Sequence, residues 1–386
     1  MNIIYNTQED IASKIKDFLL KVDPTIRKTQ LKIIPYIIIG MILSESSVKL
    51  DIAKKLKHNF SLVQIPSVTK RIYRFFKNKL FNPYDFYDKI IRFVISSYKK
   101  KHSYDNRVHI TFDHMFSHNN FTVFMISMRI GTQGIPLWFR CFKGHDDSQA
   151  FQEQLLKDGI SYVSSLFDKS FDLIFLADRW FNSSTLMEHI NSLGHTFCIR
   201  LKSDVKVLAF DKKEGHEIWT TTGNLFTYEY HSNFFDNVKI TRNKYNINIA
   251  ISKKNGVKEP WIIATNADSR RAIKDYGYRF GSIEFLFKNQ KSNGFYMEDV
   301  CNASLEYFTS LYTILSFASL FLTILGSDFA KNVKSYKNVK INTHTTIKGK
   351  KVRVLSLFNT GLTLFNIAYN SLRYVRIPCS FILYDS

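Results

Sequence analysis

The sequence predicts an α/β fold: a mixed sheet with a β-rich insertion, preceded by an all-helical N-terminal region and followed by a helical C-terminal region. Three observations predict it. Apolar residues recur at helical spacing up to about position 100, they alternate with period two from about position 105, and helical and strand-like stretches then alternate to about position 203. We therefore divide the chain into segments 1–100, 101–203, 204–266, 267–325 and 326–386, of which the second and the fourth form the α/β core.

Helices are predicted at three places in the first segment. One begins near a capping box at Thr7 and ends at Pro24, one follows Ser46, and one runs from Ser67 to Lys77. The third is amphipathic, with the apolar residues Val68, Ile72, Phe75 and Phe76 opposite the basic residues Lys70, Arg71, Arg74 and Lys77. Such a basic face can track DNA phosphates or enter a groove, although an ordinary solvated face would look the same.

The second segment predicts a three-stranded meander followed by two more strands, each preceded by a helix. Residues that favour strands occupy 107–115, 121–130 and 135–143, with the turn sequence GTQG before the third stretch. Helical stretches at about 149–167 and 184–193 alternate with strands at about 173–177 and 195–201. The order β-β-β-α-β-α-β is the layout of the ribonuclease-H fold.

The rest of the chain is predicted to be β-rich, then helical. Six strand-like stretches lie between 204 and 266, and a helix starts after Asn266. The apolar run Leu311–Leu325 has 15 residues, fewer than the ~20 of a membrane-spanning helix, so we predict a buried core helix. Residues 331–353 hold eight Lys and Arg and no acidic residue, which predicts a basic linker that either tracks DNA or is simply solvated. A last amphipathic helix spans about 354–374.

The charge indicates a polyanionic partner. Among 386 residues, 54 Lys and Arg oppose 33 Asp and Glu, which gives a net charge of +21. An excess of this size repels itself unless a polyanion neutralises it, and contacts of Lys and Arg with phosphates supply most non-specific affinity for nucleic acid. We therefore favour a nucleic-acid partner over general solubility or an anionic membrane surface.

Cysteine usage and the N-terminus favour a cytoplasmic protein. The four cysteines are dispersed and form no CxxC pair, so neither a zinc site nor a disulfide framework is expected. The first residues lack the basic start and apolar run of a signal peptide. We expect a reduced, cytoplasmic and nucleoid-associated protein rather than a membrane protein.

Three carboxylates are candidates for one catalytic site. Asp113 lies in the first predicted strand, "ITFD", and Asp178 ends the fourth, "LIFLAD". In this strand order the two strands are neighbours, and Glu284 on a later helix can close the cluster. Carboxylates brought together repel and are costly to desolvate, and Mg²⁺ or Mn²⁺ would relieve this because hard cations prefer oxygen ligands. Each Asp alone would more simply be a turn or cap residue, but the three together predict a metal site for phosphodiester chemistry.

With these residues the sequence resembles the DDE insertion-sequence transposases of the insertion-sequence-four family, over about 45–365. The resemblance rests on "ITFD", "LADRWF" and "YGYRFGSIEFLFKNQKSNGF". The family's Tyr, Arg, Glu and Lys signature is matched by Tyr276, Arg279, Glu284 and Lys291. The resemblance implies that Asp113, Asp178 and Glu284 hold Mg²⁺ or Mn²⁺, and that the other signature residues act on DNA.

One spacing departs from the family. Four residues separate Arg279 from Glu284, where the family usually has three. On a regular helix, Arg279 would point about 140° away from Glu284, whereas an irregular helix start at Gly281 would restore its aim. Lys288 and Lys291 share the face of Glu284 and can bind a DNA phosphate, or instead form an ordinary Glu–Lys pair.

Other DNA contacts are expected around this site. Arg179, directly after Asp178, can contact the DNA backbone or form a salt bridge at the sheet edge. The resemblance also implies a Trp in the insertion that stacks on a flipped base. Trp219 and Trp261 are the candidates for that role, although either could be a core residue.

The resemblance implies a cut-and-paste DNA transposase. The N-terminal helices would bind the terminal inverted repeats, and two chains would act together as a homodimer on paired ends. Water would nick the DNA, and the freed 3′-hydroxyl would attack the second strand and later the target DNA. The alternatives are a non-catalytic DNA-binding descendant of a transposase, a ribonuclease-H-fold nuclease without strand transfer and, more remotely, a membrane protein.

Overall fold

The computed structural model describes residues 8–56, 64–101, 106–117, 120–144, 149–211, 215–225, 232–241, 243–253, 259–301, 303–336, 339–347, 350–370 and 382–384. Within these ranges the chain forms a mixed α/β structure with a ten-stranded sheet and a separate two-stranded hairpin. Helices precede the first strand of the large sheet, connect some of its strands and follow its last strand in the sequence. The predicted capping residue Thr7 lies outside the described residues.

The N-terminal region is helical, as predicted. Its helices are α1 (Gln8–Val22), α2 (Lys28–Ser44), α3 (Lys49–Lys55), α4 (Ile65–Phe76) and α5 (Pro83–Lys101). The predicted apolar face of α4 is buried, while Lys70, Arg71 and Arg74 are exposed. The helices pack on the rest of the fold: the rings of Phe18 and Phe86 contact that of Phe317, at centroid distances of 5.8 and 6.1 Å.

The first half of the large sheet has the predicted strand order. Its strands are β1 (Arg107–Ser117), β2 (Phe121–Ile130), β3 (Gln133–Lys143), β4 (Asp172–Ala177) and β5 (Thr196–Arg200), in the order β3-β2-β1-β4-β5. The meander β1–β2–β3 is antiparallel, and β1–β4 and β4–β5 are parallel. Helices α6 (Gln149–Leu166) and α7 (Ser184–Ser192) make the crossovers. The expectation that the first and fourth strands are neighbours is confirmed.

The predicted β-rich insertion extends this sheet. Its strands are β6 (Lys206–Asp211), β7 (His216–Thr221), β8 (Ser232–Ile240), β9 (Tyr245–Ser252) and β10 (Trp261–Thr265). Strand β10 pairs with β5 and with β9, so ten strands form one continuous sheet that ends in β8-β6-β7. One of the six predicted strand-like stretches of this segment is Leu225–Tyr230, and most of it lies outside the described residues.

The remaining helices cover the sheet and form the core. They are α8 (Ser269–Gly277), α9 (Ile283–Lys291), α10 (Leu305–Lys331) and α11 (Leu357–Asn370). Helix α10 is buried from Tyr307 to Phe329, as predicted for a core helix, and its threonines bond back to carbonyls of the preceding turn, as Thr313 does to Thr309 at 2.9 Å. By length and composition α10 could cross a membrane, as could α2 and α3 together as a bent pair, but the apolar window of α10 is wholly buried in the fold.

The predicted basic linker is not a plain linker. It contains a short 3-10 helix and a hairpin of β11 (His344–Ile347) and β12 (Lys350–Arg353). The charge pattern gave no sign of these strands, because an abundance of Lys masks the β-branched residues at 345–347.

Candidate active site

Two of the predicted carboxylates lie side by side at the ends of parallel strands. The register of β1 and β4 runs from Arg107↔Asp172 to Thr111↔Leu176. Two residues beyond this last pair come Asp113, within β1, and Asp178, directly after the end of β4. Because side chains alternate along a strand, both point to the same face of the sheet as the last pair. Asp178 also caps the 3-10 turn that follows β4, accepting the N–H of Arg179 at 2.6 Å.

The third carboxylate reaches this face from α9. The helix begins at Ile283, which is fully buried, and the hydroxyl of Ser282 lies 3.4 Å from that of Thr111 on β1. These contacts anchor the helix start against β1, two residues from Asp113. Glu284 is therefore in the first turn of α9, at the edge of the same site, with a half-exposed side chain.

Arg279 lies between the three carboxylates. It sits in the turn between α8 and α9, where Gly281 has φ +78°, a left-handed conformation that favours glycine. One Nη atom is 2.6 Å from Asp113 Oδ2 and 4.0 Å from Asp178 Oδ2, and the other is 3.0 Å from Glu284 Oε1. The extra residue before Glu284 is thus absorbed by the turn. Of the two alternatives, a regular helix through Arg279 and an irregular start at Gly281, the structure shows the second, and Arg279 is aimed at the site.

The cluster is electrostatically strained. Burial raises the pKa of Asp113, and the pull of Arg279 in the opposite direction offsets this only in part. For Arg279, burial alone would lower the pKa, but Asp113 and the other anions outweigh it and the pKa is raised. Arg279 is 5% exposed, so its guanidinium is a buried cation that these carboxylates stabilise.

A second group of charges borders the cluster. The register of β4 and β5 ends at Ala177↔Ile199, which places Arg200 beside Asp178. Glu259 accepts from Arg179 at 2.7 Å and from Arg200 at 3.3 Å. Arg179 therefore forms the salt bridge that was one of its two expected roles. Arg200 was not among the residues predicted for the site, although its position at the end of the next parallel strand signals it.

The aromatic residues at the site differ from those expected. Tyr276 is 1% exposed and packs edge-on against Trp261, so it does not reach a DNA surface, and burial raises its pKa to about 12. Tyr276 is buried because it lies on the face of α8 that packs against the sheet. Trp261 is partly buried and stacks on Phe280 at 5.1 Å, whereas Trp219 on the edge strand β7 is half-exposed.

The most exposed Trp near the carboxylates was not predicted. Trp180 follows Asp178 by two residues, is 65% exposed, and lies 5.5 Å from the ring of His114. Its signal in the sequence was the unusual position of a Trp just after a strand end, beside two charged residues.

The two lysines of α9 behave differently. Lys291 forms an ion pair with Glu298 at 3.1 Å, rather than with Glu284. Lys288 is exposed four residues after Glu284.

No three His, Cys, Asp or Glu side chains in the described ranges are arranged to hold a metal ion. At the predicted site the carboxylates instead surround Arg279. The donor set nevertheless suits a hard divalent cation: all three groups are carboxylates, and two of their oxygens lie within 4.0 Å of a single guanidinium nitrogen.

No protein-family model matches this sequence, and no curated protein matches it. Among solved structures, the chain is similar to a piggyBac transposase synaptic complex with hairpin DNA, at 13% identity and a TM-score of 0.43, over 94% of this chain and 78% of that one. It is also similar to the Marinitoga piezophila Argonaute with guide RNA and target DNA, at 14% identity and a TM-score of 0.21, over 50% of this chain and 28% of that one. These TM-scores are too low to establish a common fold.

Proposed function

We propose that this protein is a DNA transposase that cuts and joins phosphodiester bonds with Mg²⁺ or Mn²⁺ held by Asp113, Asp178 and Glu284. The observation that supports this most is that three carboxylates from distant parts of the chain converge on one buried cation. Gathering carboxylates in a partly buried place is costly. A structural role would need only one of them to pair with Arg279.

The charge balance favours a divalent ion. Three carboxylates and one guanidinium have a net charge of −2, which a single Mg²⁺ would neutralise. When bound, such an ion would polarise a phosphodiester and lower the pKa of water. Such an ion would compete with Arg279 for Asp113, because the two cations repel each other at this range, and the guanidinium would then move away from the carboxylate.

The chain's own residues have further roles in this proposal. Arg279, once released, would be a cation beside the reacting phosphate, where it can neutralise developing charge. Lys288 and Lys291 would hold a flanking phosphate. Trp180 offers an exposed ring beside Asp178 on which an unpaired base can stack, and it joins Trp219 and Trp261 as a stacking candidate.

The finer assignments belong to the same proposal. They are membership of the insertion-sequence-four family, a ribonuclease-H-like core, cut-and-paste transposition at terminal inverted repeats, a homodimer on paired ends, and a cytoplasmic, nucleoid-associated location. The strand order supports the ribonuclease-H-like core, and the exposed basic residues of α4 support contacts with DNA.

The alternative is a non-catalytic DNA-binding protein, and Arg279 is the observation that favours it. A guanidinium that permanently neutralises the carboxylates would remove the need for a metal, as in a site that has lost its chemistry.

Cleavage of the DNA that flanks this gene separates the two. Purified protein would be incubated with such duplexes, with and without Mg²⁺, beside Asp178→Ala and the matched variant Asp158→Ala, which removes an exposed carboxylate of α6. Metal-dependent cuts at repeat ends that only Asp178→Ala abolishes would support the transposase. Binding without any cut under Mg²⁺ or Mn²⁺ would favour the non-catalytic protein.

A further inference from the structure

A cleft of about 680 Å³ opens at the start of β1. Its walls are the start of β1, the end of β2, the outer face of α8 and the β11–β12 hairpin of the basic segment 331–353. Its size lies within the range of binding pockets. Its main charged lining residues are Arg107, Arg129, Arg271, Lys274, Asp275 and Arg353.

The cleft is strongly positive. Five cations line it against one carboxylate among the described lining residues, that of Asp275. Asp275 is engaged by Arg107 at 3.0 Å and by His109 at 3.2 Å, and although burial alone would raise its pKa, these contacts lower it. Cations therefore outnumber carboxylates among the described residues that line the cleft.

Other observations indicate that an anion would be stabilised there. Burial lowers the pKa of Arg353, so positive charge in the cleft is already costly, and an anionic ligand would relieve that cost. Arg271 and Lys274 are exposed one turn apart on α8. The ring of Tyr278 holds the guanidinium of Arg129 at 4.2 Å, which keeps that wall in place.

The cleft and the carboxylate site lie along one line on the same face of the sheet. Arg107, His109, Thr111 and Asp113 alternate along β1 and share that face. From His109 to Asp113 is about 13 Å, at roughly 3.3 Å per residue. Along the axis of duplex DNA, each strand carries one phosphate about every 3.4 Å, so a duplex aligned with β1 would span this distance in roughly four nucleotides of one strand.

We propose that this cleft binds the phosphodiester backbone of DNA about four nucleotides from the bond that is cut at Asp113. The position relative to the cut rests on the proposed function, whereas the binding of DNA phosphates in the cleft does not. Free phosphate groups carry the same chemistry, but the net charge of +21 favours a DNA strand over a small ligand.

The test compares two double variants. Arg271→Ser with Lys274→Ser removes two exposed cations of the cleft. Arg270→Ser with Lys206→Ser removes two exposed cations outside it and serves as the control. Binding to a duplex with the flanking sequence of the gene would be measured in EDTA from 50 to 200 mM salt, after thermal unfolding has shown that both variants fold.

We expect the cleft variant alone to lose about 1.8 from the slope of log K against log salt, and to bind roughly 60-fold more weakly at 0.1 M salt. Equal losses in both variants, or no loss in the cleft variant, would overturn the proposal. Calorimetry with inorganic phosphate and adenosine triphosphate distinguishes the other source: triphosphate binding that the cleft variant loses, with an unchanged DNA slope, would make this a small-ligand site. The binding assay contains EDTA and does not require cleavage. Failure of the separate cleavage assay would therefore refute the transposase but leave this binding result unaffected.

Discussion

Replacing Arg279 with Met tests the carboxylate cluster most fully, because it removes the charge and keeps most of the volume. Arg279 is 5% exposed and contacts Asp113 at 2.6 Å. Removing one partner of a buried ion pair costs about 3–5 kcal/mol. The cost at pH 7 is also bounded, since Asp113 can take up a proton instead. Protonating a carboxyl group of ordinary pKa 3.8 at pH 7 costs about 4.4 kcal/mol, at 1.36 kcal/mol per pH unit. We therefore expect a loss of about 3–4 kcal/mol.

The loss should depend on pH and on metal. Without Arg279, the pKa of Asp113 in the folded state rises further above its unfolded value. The variant should therefore be nearly as stable as the wild type near pH 4 and fall behind as the pH rises to 7. A divalent ion should replace the missing cation, restoring about 2.7 kcal/mol when its concentration is 100 times its Kd.

Urea unfolding followed by Trp fluorescence, at pH 4 and pH 7 and in EDTA or MgCl₂, measures all of these effects. Arg179→Met is the matched control: its salt bridge with Glu259 is exposed, so we expect a change within about 1 kcal/mol. An Arg279→Met variant that is as stable as the wild type at pH 7 in EDTA would refute this role of Arg279. So would a loss of unfolding free energy that is the same at both pH values.

Three further predictions concern DNA. Asp178→Ala should abolish cleavage while leaving the Kd for DNA nearly unchanged, and an equal loss of both in a gel-shift and cleavage assay would make Asp178 structural. Lys291→Ala should lower the cleavage rate more than the affinity, because its ion pair with Glu298 is replaceable by a phosphate; an unchanged rate removes it from the site. Trp180→Ala should weaken binding to a duplex with an unpaired base by about 1–3 kcal/mol relative to a fully paired one, and an equal effect on both duplexes would rule out stacking.

Local periodicity predicted much of this fold. The apolar face of α4, the meander, the parallel strands and the buried helix α10 all follow from the spacing of apolar residues, because that spacing specifies which side of an element is buried. The neighbourhood of Asp113 and Asp178 then followed from the order of the strands. The elements of the fold and the proximity of these two carboxylates both follow from short sequence patterns.

The details of the site could not be predicted in the same way. The aim of Arg279 depends on one left-handed residue, Gly281, and a helical wheel assumes that no such residue intervenes. The burial of Tyr276 depends on which face α8 presents to the sheet. The basic cleft is formed by β1, α8 and the β11–β12 hairpin, which lie far apart in the sequence. Arg107 of β1 and Asp275 of α8, for example, are separated by more than 160 residues. Nothing in the local pattern of any one segment encodes such a meeting.

Mn²⁺ binding to the protein without DNA tests the central claim most directly, that the carboxylates around Arg279 form a divalent-cation site. Calorimetric titration would compare the wild type with Asp113→Asn and Arg279→Met. We predict that the wild type binds Mn²⁺, that Asp113→Asn loses this binding, and that Arg279→Met binds more tightly because no guanidinium has to be displaced. Mn²⁺ binding that is equal in all three proteins, or absent from both the wild type and Arg279→Met, would contradict the account.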